Sequence, residues 1–330
     1  MTSSHLHINQ VSYLNPLFEA LRHAGVNLEK VKHKSDLKYF DINKIDTYAP
    51  VKLLEEFLVN IYEQEGLTSL DPQLVNRFHL GDMGEFGTFL LTLPDALSMV
   101  NESIKLEPMI STNCRTQLIL KGIETFYYWK FVNKLTTGSK FSEEFCFVMV
   151  LNGLQPAFGN NYPITSIHIP SYRHEVLKAN LPVGNYNLVL TKNHYAIGFP
   201  TKLLGRSQLK NNSGQERPVL TNDSYRSRLN HLFNGLEDGV MPSLELLAMY
   251  TDMSTRGLNR HLFNEGTNFR ELVKIHQLNN AIYYLEQTQS SIYYISSVLG
   301  YDHTSNFIRA FKNWTGVTPS KYRFQMAMIG

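Results

Sequence analysis

The sequence predicts an α+β amino-terminal domain, helices plus an antiparallel sheet, followed by an all-α domain with two helix-turn-helix units. Three observations carry this expectation. From residue 223 onward apolar residues recur at three- and four-residue steps, the period of one buried helix face. Alternating polar and apolar stretches are confined to residues 109–199, where they read as strands. Between the two regimes lies a polar stretch with no hydrophobic period, holding Asn211, Asn212, Ser213, Gly214 and Pro218, as a linker does. The domains expected are therefore residues 1–205 and 223–330, with a linker at 206–222; a chain of 330 residues is long enough for two cores.

In chain order, residues 13–102 are mostly helical. Leu53, Leu54, Phe57, Leu58, Ile61 and Tyr62 form one amphipathic stripe, and a second helix is expected over residues 93–104, after Pro94. Between them residues 78–92 hold three closely spaced glycines. Without GxGxxG, GKS or GKT they read as packing or turn glycines, not a phosphate cradle. Strands are expected at residues 116–121, 125–131, 144–151, 166–169 and 187–191. The linker region carries Lys202, Arg206, Lys210 and Arg217 against Glu216, a basic tether that solvation alone explains.

The carboxy-terminal elements have clear start and stop signals. Helices are expected at residues 225–233 and 243–250. A turn at 251–253 and a Ser254 cap then lead into a helix over 255–263 that buries Leu258 and Leu262 and leaves Thr255, Arg256, Asn259 and Arg260 outside. Gly257 inside that helix costs about 1 kcal/mol relative to alanine. A long helix follows, capped by Thr267, with Phe269, Leu272, Ile275, Leu278, Ile282 and Leu285 on one side. At about 28 Å it approaches the roughly 34 Å repeat of DNA. The second unit runs from a Ser291 cap through residues 292–299 to Gly300, which can take a positive φ, and an Asp302 cap. Phe307, Ala310, Phe311 and Trp314 then face inward, while Thr304, Ser305, Ile308, Arg309 and Lys312 face water. Gly316 is the expected stop, and Thr318 and Pro319 open the closing helix.

Residues 300–323 closely resemble the signature of AraC/XylS-type bacterial transcription regulators, in Gly300, Tyr301, Phe307, Arg309, Phe311, Gly316, Pro319, Tyr322 and Arg323. Ser254, Leu258 and Arg260 match the same family's first unit. Over residues 11–206, and most specifically at 80–87, Pro94 and 183–199, the order of elements is similar to the arabinose-binding-like amino-terminal domain of one branch. The resemblance implies a sequence-specific DNA-binding regulator that responds to a small-molecule effector or dimerises through its first domain. It implies double-stranded DNA read in two successive major grooves, a homodimer, and RNA polymerase as a further partner. Carried over by position, Thr255, Arg256, Asn259 and Arg260 meet one groove and His303, Thr304, Ser305, Arg309 and Lys312 the next.

Charge location refines this picture. The net charge is only +2, so composition alone does not announce a nucleic-acid binder. Residues 223–286 are net −2 and residues 287–330 net +3, which assigns more of the salt-dependent phosphate attraction to the second unit. Arginine offers a bidentate fork for guanine and asparagine one for adenine. In the first domain Arg115, Tyr127, Trp129 and His168 are candidate effector contacts, and equally read as a sheet core with surface charges. Cys114 and Cys146 lack any CxxC or Cys/His pattern and read as buried small hydrophobes in a reduced, cytoplasmic setting. No metal site, cofactor or enzyme chemistry is expected: the His5/His7 pair is a weak ligand set, no GxSxG is present, and no apolar run reaches membrane length. The alternatives are an enzymatic domain fused to a DNA-binding one, or a sequence-indifferent architectural protein.

Overall fold

The computed structural model describes residues 6–44, 47–64, 79–132, 139–206, 224–241, 243–251 and 253–328. Most of the expected linker lies outside them, as does His5. By contact density the chain forms two units. One comprises residues 7–38 and 49–222, the other residues 1–6, 39–48 and 223–330.

The first unit is α+β. Its helices are α1 (Asn15–His23), α2 (Leu28–Lys32), α3 (Val51–Gln64), α4 (Gly84–Leu90), α5 (Ala96–Ile110), α6 (Ser139–Gly153), α7 (Gln155–Phe158) and α8 (His174–Leu177). After two short strands, β1 (Ile8–Gln10) and β2 (Tyr48–Pro50), come β3 (Cys114–Lys121), β4 (Glu124–Phe131), β5 (Ser166–Pro170), β6 (Asn187–Thr191) and β7 (Tyr195–Pro200). These last five form one sheet in the order β3-β4-β7-β5-β6. Gly122, at φ +62, opens the two-residue turn that pairs Lys121 with Glu124. The expected sheet is antiparallel, and three of its pairings are. β5 and β6, however, run parallel, because the helical crossover through residues 171–180 lets the chain return in the same direction.

A second correction concerns residues 144–151, expected as a strand and found inside α6. Phe145, Phe147, Val148 and Met149 are all buried, so this helix is apolar on several sides and its run shows no 3.6-residue stripe to separate it from a buried strand. The sheet presents Trp129, stacked on Tyr195 at 5.2 Å, toward Phe147 of this helix, 6.3 Å away. The three glycines of residues 78–92 serve packing and turns. Gly84 holds φ +69, and a Cβ on Gly87 would stand 1.7 Å from the Leu80 carbonyl oxygen. The helix expected after Pro94 is α5, opened by Asp95, whose carboxylate accepts from Ser98 N at 2.7 Å.

The second unit contains seven helices among its described residues: α9 (Tyr225–Asn234), α10 (Leu244–Tyr250), α11 (Thr255–Asn264), α12 (Phe269–Gln287), α13 (Ile292–Val298), α14 (Thr304–Thr315) and α15 (Pro319–Ala327). It also includes a strap from the amino-terminal part of the chain, residues 39–48. Phe40 bridges to Leu236, Asp41 N donates to Gly235 O at 2.9 Å, Glu237 N donates to Tyr39 O at 3.0 Å, and Lys44 Nζ donates to Asn234 O at 2.9 Å. Phe40 is 1% exposed, and Tyr48 lies 4.5 Å from the His231 ring. Gly235 makes room for the strap: a Cβ there would meet Thr47 Cγ2 and Tyr48 O, both at 2.9 Å.

Candidate nucleic-acid interface

Each helix-turn-helix is built by local chemistry. In the first, Met253 N turns back to Ala248 O at 3.0 Å, and the Ser254 hydroxyl caps α11 by accepting from Gly257 N at 3.1 Å. Leu258 and Leu262 are fully buried. On the opposite side of α11, Arg256, Asn259 and Arg260 are exposed and Thr255 is half-buried at its start.

In the second, Gly300 holds φ +75, and a Cβ there would come 3.1 Å from the Gly239 carbonyl. Side chains fix the turn to the long helix: Tyr301 OH donates to Gln277 Oε1 and Gln277 Nε2 donates to Leu299 O, both at 3.0 Å. Burial pushes the Tyr301 phenol up to about 12, so it stays a neutral donor. Ala281 and Leu285 of α12, Ile295 and Leu299, and Phe307 and Phe311 of α14 form one core cluster. Ser305, Arg309 and Lys312 lie exposed on α14.

Two expected caps differ from those observed. Asn268, not Thr267, caps α12 by accepting from Glu271 N at 3.0 Å, and Thr267 is buried. His303, not Asp302, occupies the cap position of α14 and makes no side-chain cap bond. There the turn is set by Gly300, so the helix starts one residue later than the acidic residue suggested.

The candidate contacts are not equivalent. Thr304 is half-buried and shares a hydrogen bond with Ser296 at 3.0 Å, committing it to the turn. Asn306, absent from the sequence-derived set, is exposed on α14 and accepts from Arg309 Nη2 at 3.1 Å; its place three residues before Arg309 was the available signal. Part of the positive charge of the second half is internal: Arg323 donates to Leu285 O at 3.3 Å and Ser290 O at 2.7 Å.

The effector candidates separate. Tyr127 and Trp129 line one cavity of the α+β unit. Arg115 is exposed and donates to Cys114 O at 2.7 Å. His168 lies in another concavity, 6.1 Å from the His194 ring; burial first, then His194, holds its pKa below the ordinary histidine value. Among the described residues no group of three or more His, Cys, Asp or Glu side chains can hold a metal ion, and no helix is long and apolar enough to cross a membrane.

The paired turns, the exposed faces of α11 and α14, and the single α12 that joins them define a double helix-turn-helix domain. A family model described as a helix-turn-helix domain matches residues 247–325, and the chain thus carries an AraC-type helix-turn-helix domain. Among curated relatives, the ornithine utilization regulator of Pseudomonas aeruginosa is 41% identical over 85 residues, 26% of this chain and 25% of that protein. The HTH-type transcriptional regulator VqsM of the same organism is 27% identical over 179 residues, 50% of this chain and 54% of that protein. The chain thus spans about a quarter to a half of the length of these relatives. The crystal structure of the transcriptional regulator CdpR from Pseudomonas aeruginosa aligns over 94% of this chain and 98% of that one, at 19% identity and a TM-score of 0.39.

Proposed function

We propose that the chain is a sequence-specific DNA-binding transcription regulator whose α+β unit senses a small molecule. The carrying observation is that two helices, α11 and α14, present exposed arginine and amide side chains from turns joined by one 19-residue helix. At about 1.5 Å per residue that helix is roughly 28 Å long, close to one turn of DNA. In this reading Arg256, Asn259 and Arg260 address base edges in one major groove, Ser305, Asn306 and Arg309 address the next, and Lys312 neutralises phosphate. A homodimer and contact with RNA polymerase belong to the same reading.

The test is selection and footprinting of genomic DNA fragments with the full chain at physiological salt. Protection of a site about two adjacent major grooves long, lost when the sequence is scrambled, is the expected result. Equal affinity for scrambled DNA would remove the regulator reading and favour an architectural role.

A further inference from the structure

The α+β unit holds a partly open cavity of about 130 Å³ between the helices and the sheet. That is close to the roughly 150 Å³ that accommodates a benzene ring in an apolar protein interior. Most of its wall is hydrocarbon, aromatic or thioether, including Leu54, Met83, Met99, Phe131, Phe145 and Met149. Its polar atoms follow a pattern of their own. Asn9 Oδ1, Glu107 Oε1 and Trp129 Nε1 are buried on residues of this wall and have no hydrogen-bond partner among the described residues. Two of these atoms are acceptors and one is a donor. Native proteins rarely leave such atoms unmet, and on this wall a bound molecule can supply the missing partners.

Charge restricts what fits. Glu55 and Glu107 line the cavity, whereas no lysine, arginine or histidine does. Arg115, the cation nearest in sequence, is exposed and donates to the carbonyls of Thr112 and Cys114. A ligand carboxylate would meet the Glu107 carboxyl with no cationic side chain on the wall itself, Arg115 acting on Glu107 only from outside the lining. The greater part of the wall is apolar, so a molecule with one polar head suits it better than a sugar with hydroxyls on every side.

We propose that this cavity binds a neutral or cationic, mainly apolar molecule about the size of one substituted aromatic ring, held by a single hydrogen-bond-donating head, a hydroxyl or an amine. An amine head donates to both Glu107 and Asn9, whereas a hydroxyl donates its one proton to either of them and accepts from the Trp129 indole N–H. This deepens the reading of the α+β unit as the sensing part of a regulator and rests on it for its biological meaning. As a statement about binding it stands apart from DNA. Burial raises the Glu107 carboxyl from its ordinary range to about 7, so near neutrality the group offers an acceptor in either protonation state.

The experiment is calorimetric titration of the full chain with four probes: 4-methylphenol, benzylamine, toluene and benzoate. The expected result is saturable binding of 4-methylphenol or benzylamine, at least ten-fold tighter than toluene, with no binding of benzoate; which of the two heads binds identifies the donor chemistry. Glu107→Met should bring 4-methylphenol and toluene within about three-fold of each other, and Gly153→Leu, which fills the cavity from α6, should abolish binding. Toluene binding as tightly as 4-methylphenol, benzoate binding tightest, or no binding of any probe would each overturn the proposal. Affinity for a selected DNA fragment is measured alongside, with and without probe. Probe binding without any change in DNA affinity upholds the site and removes the sensing role, whereas failure to bind any specific DNA removes the regulator reading and leaves the calorimetric result standing.

Discussion

Arg256 and Lys312 are both exposed cations on the paired helices, and they are expected to differ in kind. Arg256→Ala should cost about 1–3 kcal/mol at a cognate site and relax preference at one base position. Lys312→Ala should weaken all DNA about equally and reduce the salt slope by roughly one. Binding isotherms on cognate and scrambled duplexes at several salt concentrations separate the two, and an Arg256→Ala chain with unchanged preference would refute the assignment. A third position speaks to folding. With a Cβ only 1.7 Å from the Leu80 carbonyl, Gly87→Ala should destabilise the α+β unit by about 3 kcal/mol or more, read as a fall in its denaturant midpoint. Much of this scale was legible in the residues themselves, because exposure on a strongly periodic helix follows from spacing. Asn306 and the commitment of Thr304 to Ser296 were less so, since both depend on which hydroxyls and amides meet across a turn.

Capping makes its own prediction for the helices. Ser254→Ala removes the acceptor for Gly257 N and should cost about 1 kcal/mol of the second unit's stability by thermal melting; no measurable loss would show that the cap is redundant. Ser254, Ser291 and Thr318 act as caps as their sequence positions suggested, and α11, behind the first of them, carries one clean apolar stripe in Leu258 and Leu262. Periodicity leaves the choice open where that stripe is missing or a neighbour competes. In α6 the residues are apolar on several sides, so period gave no choice between helix and strand. At residues 267–268 two capping types stand side by side, and the one whose side chain points back to the helix prevails. The parallel pairing of β5 with β6 was not legible, because it depends on how a crossover returns and not on the composition of either strand.

Acid should affect the two units differently. In the helical unit, burial, and then the charge of Lys44, lowers the His276 pKa from 6.5 to about 4. Its folded pKa lies below the unfolded one, so the stabilisation is complete above about pH 6.5 and is lost as pH falls toward 4. Between pH 7 and 5 the expected loss is about 2 kcal/mol, and His276→Gln should flatten the dependence. Glu107 works in the opposite sense. With a folded pKa raised to about 7, its contribution is present at low pH and lost as pH rises from about 4.5 through 7, offset below 6.5 by the depressed pKa values of His168 and His194 in the same unit. Melting curves of the full chain at pH 5 and 7, native and His276→Gln, check the first claim; identical shifts in both would contradict it.

The strap over residues 39–48 also bears on modularity. Nothing in its local pattern announces that Phe40 pairs with Leu236, a partner nearly two hundred residues away. If chains built on this plan diversify by exchanging their two units, a crossover placed at residue 223 transplants an incomplete helical unit. The graft leaves behind the Phe40 ring and the backbone partners of Gly235 and Glu237. A chimera of residues 223–330 on a foreign first unit should therefore melt below one that also carries residues 39–48 at the equivalent loop. The unit of inheritance for this helical unit is a discontinuous set of residues, and a recombination event that respects only its start at residue 223 breaks it.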